Sequence, residues 1–299
     1  MTMPASGLDG RIAIVTPSFA RDFTLCSELN ESVLKYLPSS TKHYIIVDGK
    51  DVGLFKVLAD SRTIVAAVED VIPRGHFRLP APKGWWFSSA ALVPAKGWLI
   101  QQLVKLSAAR ILDESVQLNV DSDVRFVRPV DPALFVRDGK TRLYRKPGGI
   151  VAGMQHVKWH NNVCRLLNVN PDALPMADYV GNVISWDPKL VAAAIARVEA
   201  VTGSPWHVAF ARARSVGEYM LYGLYIEKVL GRESAGVWLD ERSWCHTYWG
   251  PEPLQPAMVD GFVNSMPDDD VAVSVAGYTA TDCELTQRTT NLVLERVAS

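Results

Sequence analysis

The first seventy residues alternate short apolar runs with an amphipathic segment, and no other feature of the chain limits the possible folds as strongly. Residues 11–19, 42–51 and 60–71 are apolar runs bounded by polar turn residues, which predicts three buried strands. Residues 22–37 carry apolar side chains at helical spacing, and Pro38 ends the predicted helix. This order predicts an α/β domain with a mainly parallel, twisted sheet covered by helices.

Three later segments also have helical spacing: residues 96–112, 187–202 and 215–230. Asp187 is placed to cap the second of these helices, with Pro188 at its first helical position. We therefore expect that helix to begin at a defined point in the chain.

The remaining segments predict strands, loops and a tail. Residues 116–130 read as a central strand, and residues 131–160 read as short strands and loops. Residues 74–98 are rich in glycine, proline and aromatic residues, which predicts an extended loop. Residues from 266 onward give no prediction beyond a C-terminal tail.

Composition excludes several classes of protein. With 48% hydrophobic residues and a net charge of -1, the chain has no bias towards nucleic acid. It has no apolar run near the roughly 20 residues of a membrane span, although peripheral contact with a membrane stays open. Four scattered cysteines and a start without the pattern of a signal peptide predict a reduced, cytoplasmic protein.

Polar residues follow three of the predicted strands, at Thr16–Ser18, Asp48–Asp51 and Asp121–Asp123. In open parallel sheets, ligands bind beyond the carboxyl ends of the strands. We therefore expect these three positions to meet at one ligand-binding cleft.

Asp121 and Asp123 are the strongest candidates for chemistry at that cleft. In an extended segment, residues two apart point the same way, so the two carboxylates would form a hard-oxygen site for Mg²⁺ or Mn²⁺. Such an ion would neutralise a diphosphate leaving group. The alternative is that the aspartates cap a turn or pair with Arg125 and Arg128.

The segment LNVDSDVRFVRP resembles the Asp-x-Asp segment of GT-A-fold glycosyltransferases, which use nucleotide-sugar donors. The segments KGWLIQQLVKL, ADYVGNVISWDP, SVGEYMLYGLYI and HTYWG resemble more specifically a group of bacterial proteins assigned to that fold. The resemblance covers roughly residues 11–250 and implies a single, Rossmann-like GT-A domain over 1–299. Residues 11–130 would bind the nucleotide sugar, residues 131–265 would bind the acceptor, and residues 266–299 would form the tail.

The resemblance also implies a metal site. Asp121 and Asp123 would hold Mn²⁺ or Mg²⁺, with Asp123 as the more direct ligand, and His246 would complete the site. Imidazole suits Mn²⁺ as a ligand. The alternative for His246 is a core histidine packed among aromatic neighbours, namely Trp244, Tyr248 and Trp249.

A catalytic carboxylate is implied at Glu218, which in an inverting enzyme would deprotonate the acceptor hydroxyl. The alternative is a structural role, because Ser215 and Glu218 have the spacing of a capping box at a helix N-terminus.

Donor and acceptor contacts complete the predicted site. The residues expected at the donor are Thr16, Pro17, Ser18, Asp48, Gln101, Lys105, Asp121 and Ser122. The residues expected at the acceptor are Asp178 and Asn182, which would bond sugar hydroxyls, and Trp186, on which a sugar ring would stack. The alternatives are an ordinary turn at Asp48, a solvated helix face at Gln101 and Lys105, and tryptophans that anchor the core.

These features predict a metal-dependent glycosyltransferase. It would move a sugar from a nucleoside-diphosphate sugar, most commonly a UDP-sugar, to a hydroxyl of a bacterial glycan or glycolipid, in the cytoplasm or at the inner face of the membrane. One alternative is a nucleotidyltransferase, although VTPSFARDF lacks the glycines of a phosphate loop. The other is a non-catalytic glycan-binding module, which would leave Asp121 and Asp123 without a task.

Overall fold

The computed structural model of the chain describes residues 11–78, 86–89, 91–95 and 97–298. The strands of this part of the chain are β1 (Ile12–Pro17), β2 (Lys42–Val47), β3 (Thr63–Ala67), β4 (His76–Arg78), β5 (Trp86–Ser88), β6 (Val93–Ala95), β7 (Val116–Asn119), β8 (Val124–Phe126), β9 (Val136–Arg137), β10 (Lys140–Tyr144), β11 (Lys146–Ile150), β12 (Met176–Asp178), β13 (Ile184–Trp186), β14 (Val237–Asp240), β15 (Cys245–Tyr248) and β16 (Ala272–Val275).

The α-helices of the same residues are α1 (Phe23–Tyr36), α2 (Val52–Phe55), α3 (Val68–Val71), α4 (Gly97–Ala108), α5 (His156–Leu167), α6 (Pro188–Thr202), α7 (Trp206–Ala213), α8 (Glu218–Leu224), α9 (Arg232–Ala235), α10 (Val259–Asn264) and α11 (Cys283–Ala298). Helix α8 continues directly as a π-helix over Tyr225–Leu230. In the described ranges no helix is both long and apolar enough to cross a bilayer.

A five-stranded sheet in the order β13-β7-β1-β2-β3 forms the centre of the fold. The pairs β7–β1, β1–β2 and β2–β3 are parallel, and only β13 runs antiparallel to its neighbour. Every residue of β1 is buried, as expected for an inner strand of a parallel sheet. The predicted mainly parallel sheet is confirmed, and so is the interior position of the strand before Asp121.

Helices cover this sheet on both faces. Ile12 and Ile14 of β1 lie in one apolar cluster with Leu29 and Val33 of α1. Val15 lies in a second apolar cluster, with Leu103 and other residues of α4. Because side chains alternate between the faces of a strand, one buried strand serves both clusters. The chain is thus a mixed α/β domain with a central, mostly parallel sheet flanked by helices.

The C-terminal residues form part of a second sheet, although their sequence pattern predicts only a tail. Strand β16 pairs in parallel with β15 and antiparallel with β8, in the order β15-β16-β8. The segment 116–130 therefore supplies two strands in two different sheets rather than one central strand. Asp121 and Asp123 lie in the turn between them, closed by a hydrogen bond from Val124 N to Asp121 O at 3.1 Å. The expectation of an extended segment at the two aspartates is wrong.

Three further expectations need correction. Between His76 and Ala95 the described residues form a three-stranded antiparallel sheet, β4-β5-β6, rather than a loop. Helix α5 lies partly within the segment predicted as strands and loops. Helix α8 begins at Glu218 with Gly217 as its N-cap, and the cap makes no side-chain hydrogen bond. Ser215 and Glu218 therefore do not form the predicted capping box.

The predicted start of α6 is confirmed: Asp187 is its N-cap, and Asp187 Oδ1 accepts a hydrogen bond from Lys189 N at 2.8 Å. Asp187→Ala leaves that amide without its acceptor. We expect it to lower the free energy of unfolding by about 1 kcal/mol in urea titrations, and Asp187→Ser to keep most of the stability. Equal loss in both variants would contradict a capping role.

Candidate functional site

A cleft of about 560 Å³ opens at the carboxyl ends of β1 and β2. Pro17 and Ser18 line it from β1, and Asp48 lines it from β2. Gln101 lines it from α4, so four of the predicted donor contacts lie together. A volume of this size is within the range of ligand pockets, about 300–1,000 Å³.

The walls of the cleft combine aromatic and basic side chains. Phe19, Trp86 and Trp98 supply aromatic surface, and Arg21 and Lys50 add positive charge. The sequence did not single out Arg78, which is also in the wall and forms an ion pair with Asp48. Burial raises the pKa of Asp48, while the Arg78 guanidinium beside it acts in the opposite direction. The cleft therefore offers stacking surface, a carboxylate and cations to one ligand.

A hydrogen bond joins this cleft to the predicted metal ligands. Ser122 Oγ donates to Ser18 Oγ at 2.9 Å, which ties the turn after β7 to the end of β1. Because Ser18 lines the cleft and Ser122 separates Asp121 from Asp123, the two aspartates lie directly beside the cleft. Three of the four parallel strands of the central sheet thus bring polar residues to one edge, as the sequence predicts.

Asp123 is held by the second sheet. Ser274 Oγ donates to Asp123 Oδ1 at 3.2 Å, and Gly277 N donates to Asp123 Oδ2 at 2.7 Å. Burial and then the nearby Asp121 carboxylate raise the pKa of Asp123 to about 7, although the two hydrogen bonds act in the opposite direction. More weakly, Asp22 also raises this pKa. Burial is thus the main reason for the raised pKa of Asp123, and the neighbouring carboxylates add to it.

Lys105 is a buried cation at the other side of the same cluster. Its Nζ lies 2.9 Å from Asp121 Oδ1 and 3.3 Å from Glu218 Oε1. It also donates to the Tyr219 hydroxyl at 2.9 Å. Burial would lower the pKa of Lys105, but Asp121, Tyr219 and Glu218 together raise it well above its ordinary range. Lys105 therefore stays charged and links helix α4, the turn after β7 and helix α8.

Glu218, the predicted catalytic residue, lies inside this cluster. Its side chain is only 7% exposed, and Lys105 is its ion-pair partner. Burial raises the pKa of Glu218, while the Lys105 ammonium lowers it. Asp121, by contrast, keeps 47% of its side chain exposed. The structure thus brings the predicted metal ligand and the predicted catalytic carboxylate to the same lysine.

The two aspartates fit a hard divalent cation. Mg²⁺ is commonly held by one or two carboxylates, with water and phosphate oxygens at its other positions. Asp123 forms no ion pair with a cation in the described residues, and its pKa is raised first by burial and then by the Asp121 carboxylate. An ion bound to Asp121 and Asp123 would supply positive charge beside both carboxylates. No group of three or more His, Cys, Asp or Glu side chains in the described ranges could hold a metal ion, so the protein would contribute no more than these two ligands.

His246 does not join these carboxylates. Its Nε2 lies 2.9 Å from the Phe262 carbonyl oxygen, and its ring stacks on the Phe262 ring at 4.3 Å. These contacts match the alternative of a packed histidine, with Phe262 as its partner rather than Trp244 or Trp249. The structure therefore gives His246 no place beside Asp121 and Asp123.

Thr16 is also absent from the cleft. It is fully buried, and its Oγ1 lies 3.0 Å from His43 Nε2. His43 Nδ1 lies 2.8 Å from Asn30 Oδ1, which also accepts a hydrogen bond from Thr63 Oγ1 at 2.8 Å. Thr16 therefore belongs to a buried polar network, and its predicted contact with a donor is wrong.

The three predicted acceptor residues have different partners and different burial in the structure. Asp178 Oδ2 lies 2.8 Å from His156 Nδ1. Asn182 is buried and donates to Thr247 Oγ1 at 3.2 Å. Trp186 is fully buried between Tyr219 and Tyr222, at ring distances of 5.6 and 5.5 Å. It offers no face to a sugar, so the prediction for Trp186 is wrong.

His43 makes the stability of the fold depend on pH. Desolvation lowers its pKa from 6.5 to about 3, so the unfolded chain binds a proton that the folded protein excludes. Stability is then lost as pH falls from about 6.5 towards about 3, by up to about 1.4 kcal/mol per pH unit from this group. His43→Gln should reduce that slope in urea titrations at several pH values. Thr16→Val keeps the imidazole and should keep the slope; an unchanged slope in His43→Gln would contradict the burial of a neutral ring.

Lys105 should be essential for stability as well as for the site. Lys105→Met leaves Glu218 buried without a counter-charge, and we expect the free energy of unfolding to fall by about 3–5 kcal/mol. The double variant Lys105→Met with Glu218→Gln should recover part of the loss. Lys56→Met changes an exposed lysine and should shift stability by less than about 0.5 kcal/mol. If Lys105→Met were as stable as the wild type in denaturant titrations, the buried ion pair would be refuted.

Comparison with known proteins gives one family and several distant structures. A model of a family of unknown function, DUF6492, matches residues 10–237. No curated protein matches the chain. The galactosyltransferase LgtC in complex with donor and acceptor sugar analogs is 14% identical, with a TM-score of 0.49 over 94% of this chain and 95% of that one.

Two other solved structures are similar to the same degree. Mouse xyloside xylosyltransferase 1 in its apo form is 9% identical, with a TM-score of 0.48 over 90% of this chain and 98% of that one. An active-site mutant of LgtC is 13% identical, with a TM-score of 0.47 over 94% of each chain. These identities and TM-scores are too low to fix the activity of this chain. The family model, however, spans most of the sequence, and the chain therefore belongs to the family of unknown function DUF6492.

Proposed function

We propose that this protein is a metal-dependent glycosyltransferase. It moves a sugar from a nucleoside-diphosphate sugar, with UDP as the first candidate, to a hydroxyl of a bacterial glycan or glycolipid. The observation that carries the proposal is the hydrogen bond between Ser18 and Ser122, which sets the Asp121–Asp123 turn beside the cleft. The reaction takes place in the cytoplasm or at the inner face of the membrane.

The cleft suits the nucleoside part of such a donor. The Phe19 ring in its wall gives a nucleobase an apolar surface on which to stack. The Asp48 carboxylate accepts hydrogen bonds from a base N–H or a ribose hydroxyl, and its partner Arg78 holds it in place. Gln101 adds an amide on the α4 side. These contacts would orient the nucleoside with its diphosphate towards Ser18 and Ser122.

The diphosphate would then lie against the acidic turn. Asp121 and Asp123 would hold Mn²⁺ or Mg²⁺ there, and such an ion would supply positive charge against the departing diphosphate. Ser274 and Gly277 fix the orientation of Asp123 through their hydrogen bonds. Lys105 fixes Asp121, and its own positive charge supports the binding of an anion nearby. These groups together would stabilise the leaving group.

Glu218 is the proposed proton acceptor for the attacking hydroxyl. Its raised pKa makes the carboxylate a better base than an exposed glutamate, and Lys105 keeps it oriented. As the new bond to the anomeric carbon forms, the bond to the diphosphate oxygen breaks and the acceptor proton passes to Glu218. Glu218→Gln should remove this step while preserving the shape of the side chain.

Isothermal titration calorimetry with UDP, GDP and CDP, each with and without Mn²⁺, tests the donor side. We expect one nucleotide to bind at least about tenfold more tightly with Mn²⁺, because an ion held by Asp123 would offset the charge of the diphosphate. Asp123→Asn should remove that gain without unfolding the protein. Asp268→Asn changes an exposed aspartate outside the cleft and serves as the control.

Two outcomes would count against the proposal. The first is that none of the three nucleotides binds under either condition. The second is that Asp123→Asn keeps the full metal-dependent gain, which would remove the acidic turn from the site.

A further inference from the structure

Three aromatic rings are stacked where helices α4 and α5 meet. The Trp98 ring of α4 lies 4.9 Å from the Trp159 ring of α5, with an angle of 25° between the planes. The Trp159 ring in turn lies 4.4 Å from the His156 imidazole, at 21°. Indole and imidazole thus form a continuous stack of three layers.

The position of this stack connects the cleft with Glu218. Trp98 lines the cleft and is 37% exposed. Trp159 packs against Gly217, where an added Cβ would lie only 3.3 Å from Trp159 Cε3. Gly217 directly precedes Glu218, so the stack runs from the wall of the cleft to the start of α8. The stack therefore contacts the residue that precedes the carboxylate proposed as the proton acceptor.

His156, at one end of the stack, forms a polar pair with Asp178. His156 Nδ1 lies 2.8 Å from Asp178 Oδ2, and Asp178 Oδ1 accepts a hydrogen bond from Val180 N at 3.0 Å. The carboxylate is thereby fixed on both oxygens, and it holds the imidazole with Nδ1 as the donor. The histidine side chain remains 21% exposed. Its Nε2 is then left as an acceptor for a hydroxyl group.

We propose that Trp98, Trp159, His156 and Asp178 form a binding subsite for a saccharide. An apolar C–H face of a pyranose ring packs on the exposed part of Trp98, where it removes apolar surface from water. Because the Trp159 ring separates Trp98 from His156, the hydroxyl groups that bond to the His156–Asp178 pair belong to a second sugar residue of the same saccharide. The subsite binds sugar whether or not the protein is a transferase; that this sugar is the acceptor rests on the proposed function.

The effect of Trp98→Ala distinguishes a purely structural role of the stack from a role as a saccharide subsite. If the stack only joins α4 to α5, Trp98→Ala lowers stability and changes no ligand affinity. If it is a subsite, Trp98→Ala lowers saccharide affinity at temperatures where the variant is folded. Trp98→Phe keeps an aromatic face and should keep part of the affinity. This variant tests the subsite if Trp98→Ala fails to fold.

Saturation-transfer NMR with methyl glycosides tests the subsite without any nucleotide. The probes are the methyl glycosides of the disaccharides lactose, cellobiose, maltose and N,N′-diacetylchitobiose, which are long enough to reach from Trp98 to His156. We expect at least one to bind, with stronger saturation of the ring C–H protons than of the glycosidic methyl group. Trp98→Ala and His156→Ala should weaken binding on the order of tenfold, and Asp178→Asn should weaken it less. Trp249→Ala, which changes an exposed tryptophan that stacks on Tyr278 rather than on Trp159, should bind like the wild type.

The proposal is overturned if no methyl glycoside binds to the wild type. It is also overturned if Trp98→Ala binds like the wild type, or if Trp249→Ala loses as much affinity as Trp98→Ala. The nucleotide titrations separate this test from the proposed function. Saccharide binding without nucleotide binding refutes the transferase alone, whereas nucleotide binding with no effect of Trp98→Ala on saccharide binding refutes the subsite alone.

Discussion

The arrangement of the candidate site depends on one buried ammonium group. Lys105 joins Asp121, which follows a strand of the central sheet, to Glu218, the first residue of α8. The Glu218 carboxylate lies buried in this cluster at a cost that the Lys105 ammonium offsets, because burial of an unpaired carboxylate is costly. The lysine comes from α4, so one ion-pair cluster fixes the relative positions of three separate elements. Those elements also shape the cleft and the aromatic stack beside it.

Asp123, unlike Glu218, has no cation as a partner in the described residues. The second sheet holds it with a hydroxyl and a backbone amide, and neither donor carries a full charge. Burial, more than the neighbouring charges, raises the pKa of Asp123 to about 7. In the described residues Glu218 thus has an ion-pair partner and Asp123 has none. An asymmetric site of this kind suits a cation that arrives with an anionic ligand, and it distinguishes the roles of two aspartates that look equivalent in the sequence.

Local patterns predicted much of this structure, and long-range pairing accounts for most of what they missed. The parallel strands, the cap at Asp187 and the meeting of Ser18, Asp48 and Asp121 follow from periodicity and from the geometry of parallel sheets. Ser274 and Gly277 could not be predicted as partners of Asp123, because they lie about 150 residues later in the chain. Thr16 was misplaced because alternation turns its side chain to the opposite side from the cleft. Trp186 was misplaced because composition does not tell a core tryptophan from an exposed one.

The most direct test of the account is anomalous diffraction at the manganese edge from crystals grown with Mn²⁺ and the nucleotide that binds most tightly. We predict one manganese peak within bonding distance of carboxylate oxygens of both Asp121 and Asp123. We also predict a nucleobase in the cleft beside Asp48. A manganese peak at any other place, or a nucleotide bound outside this cleft with Asp121 and Asp123 uninvolved, would contradict it.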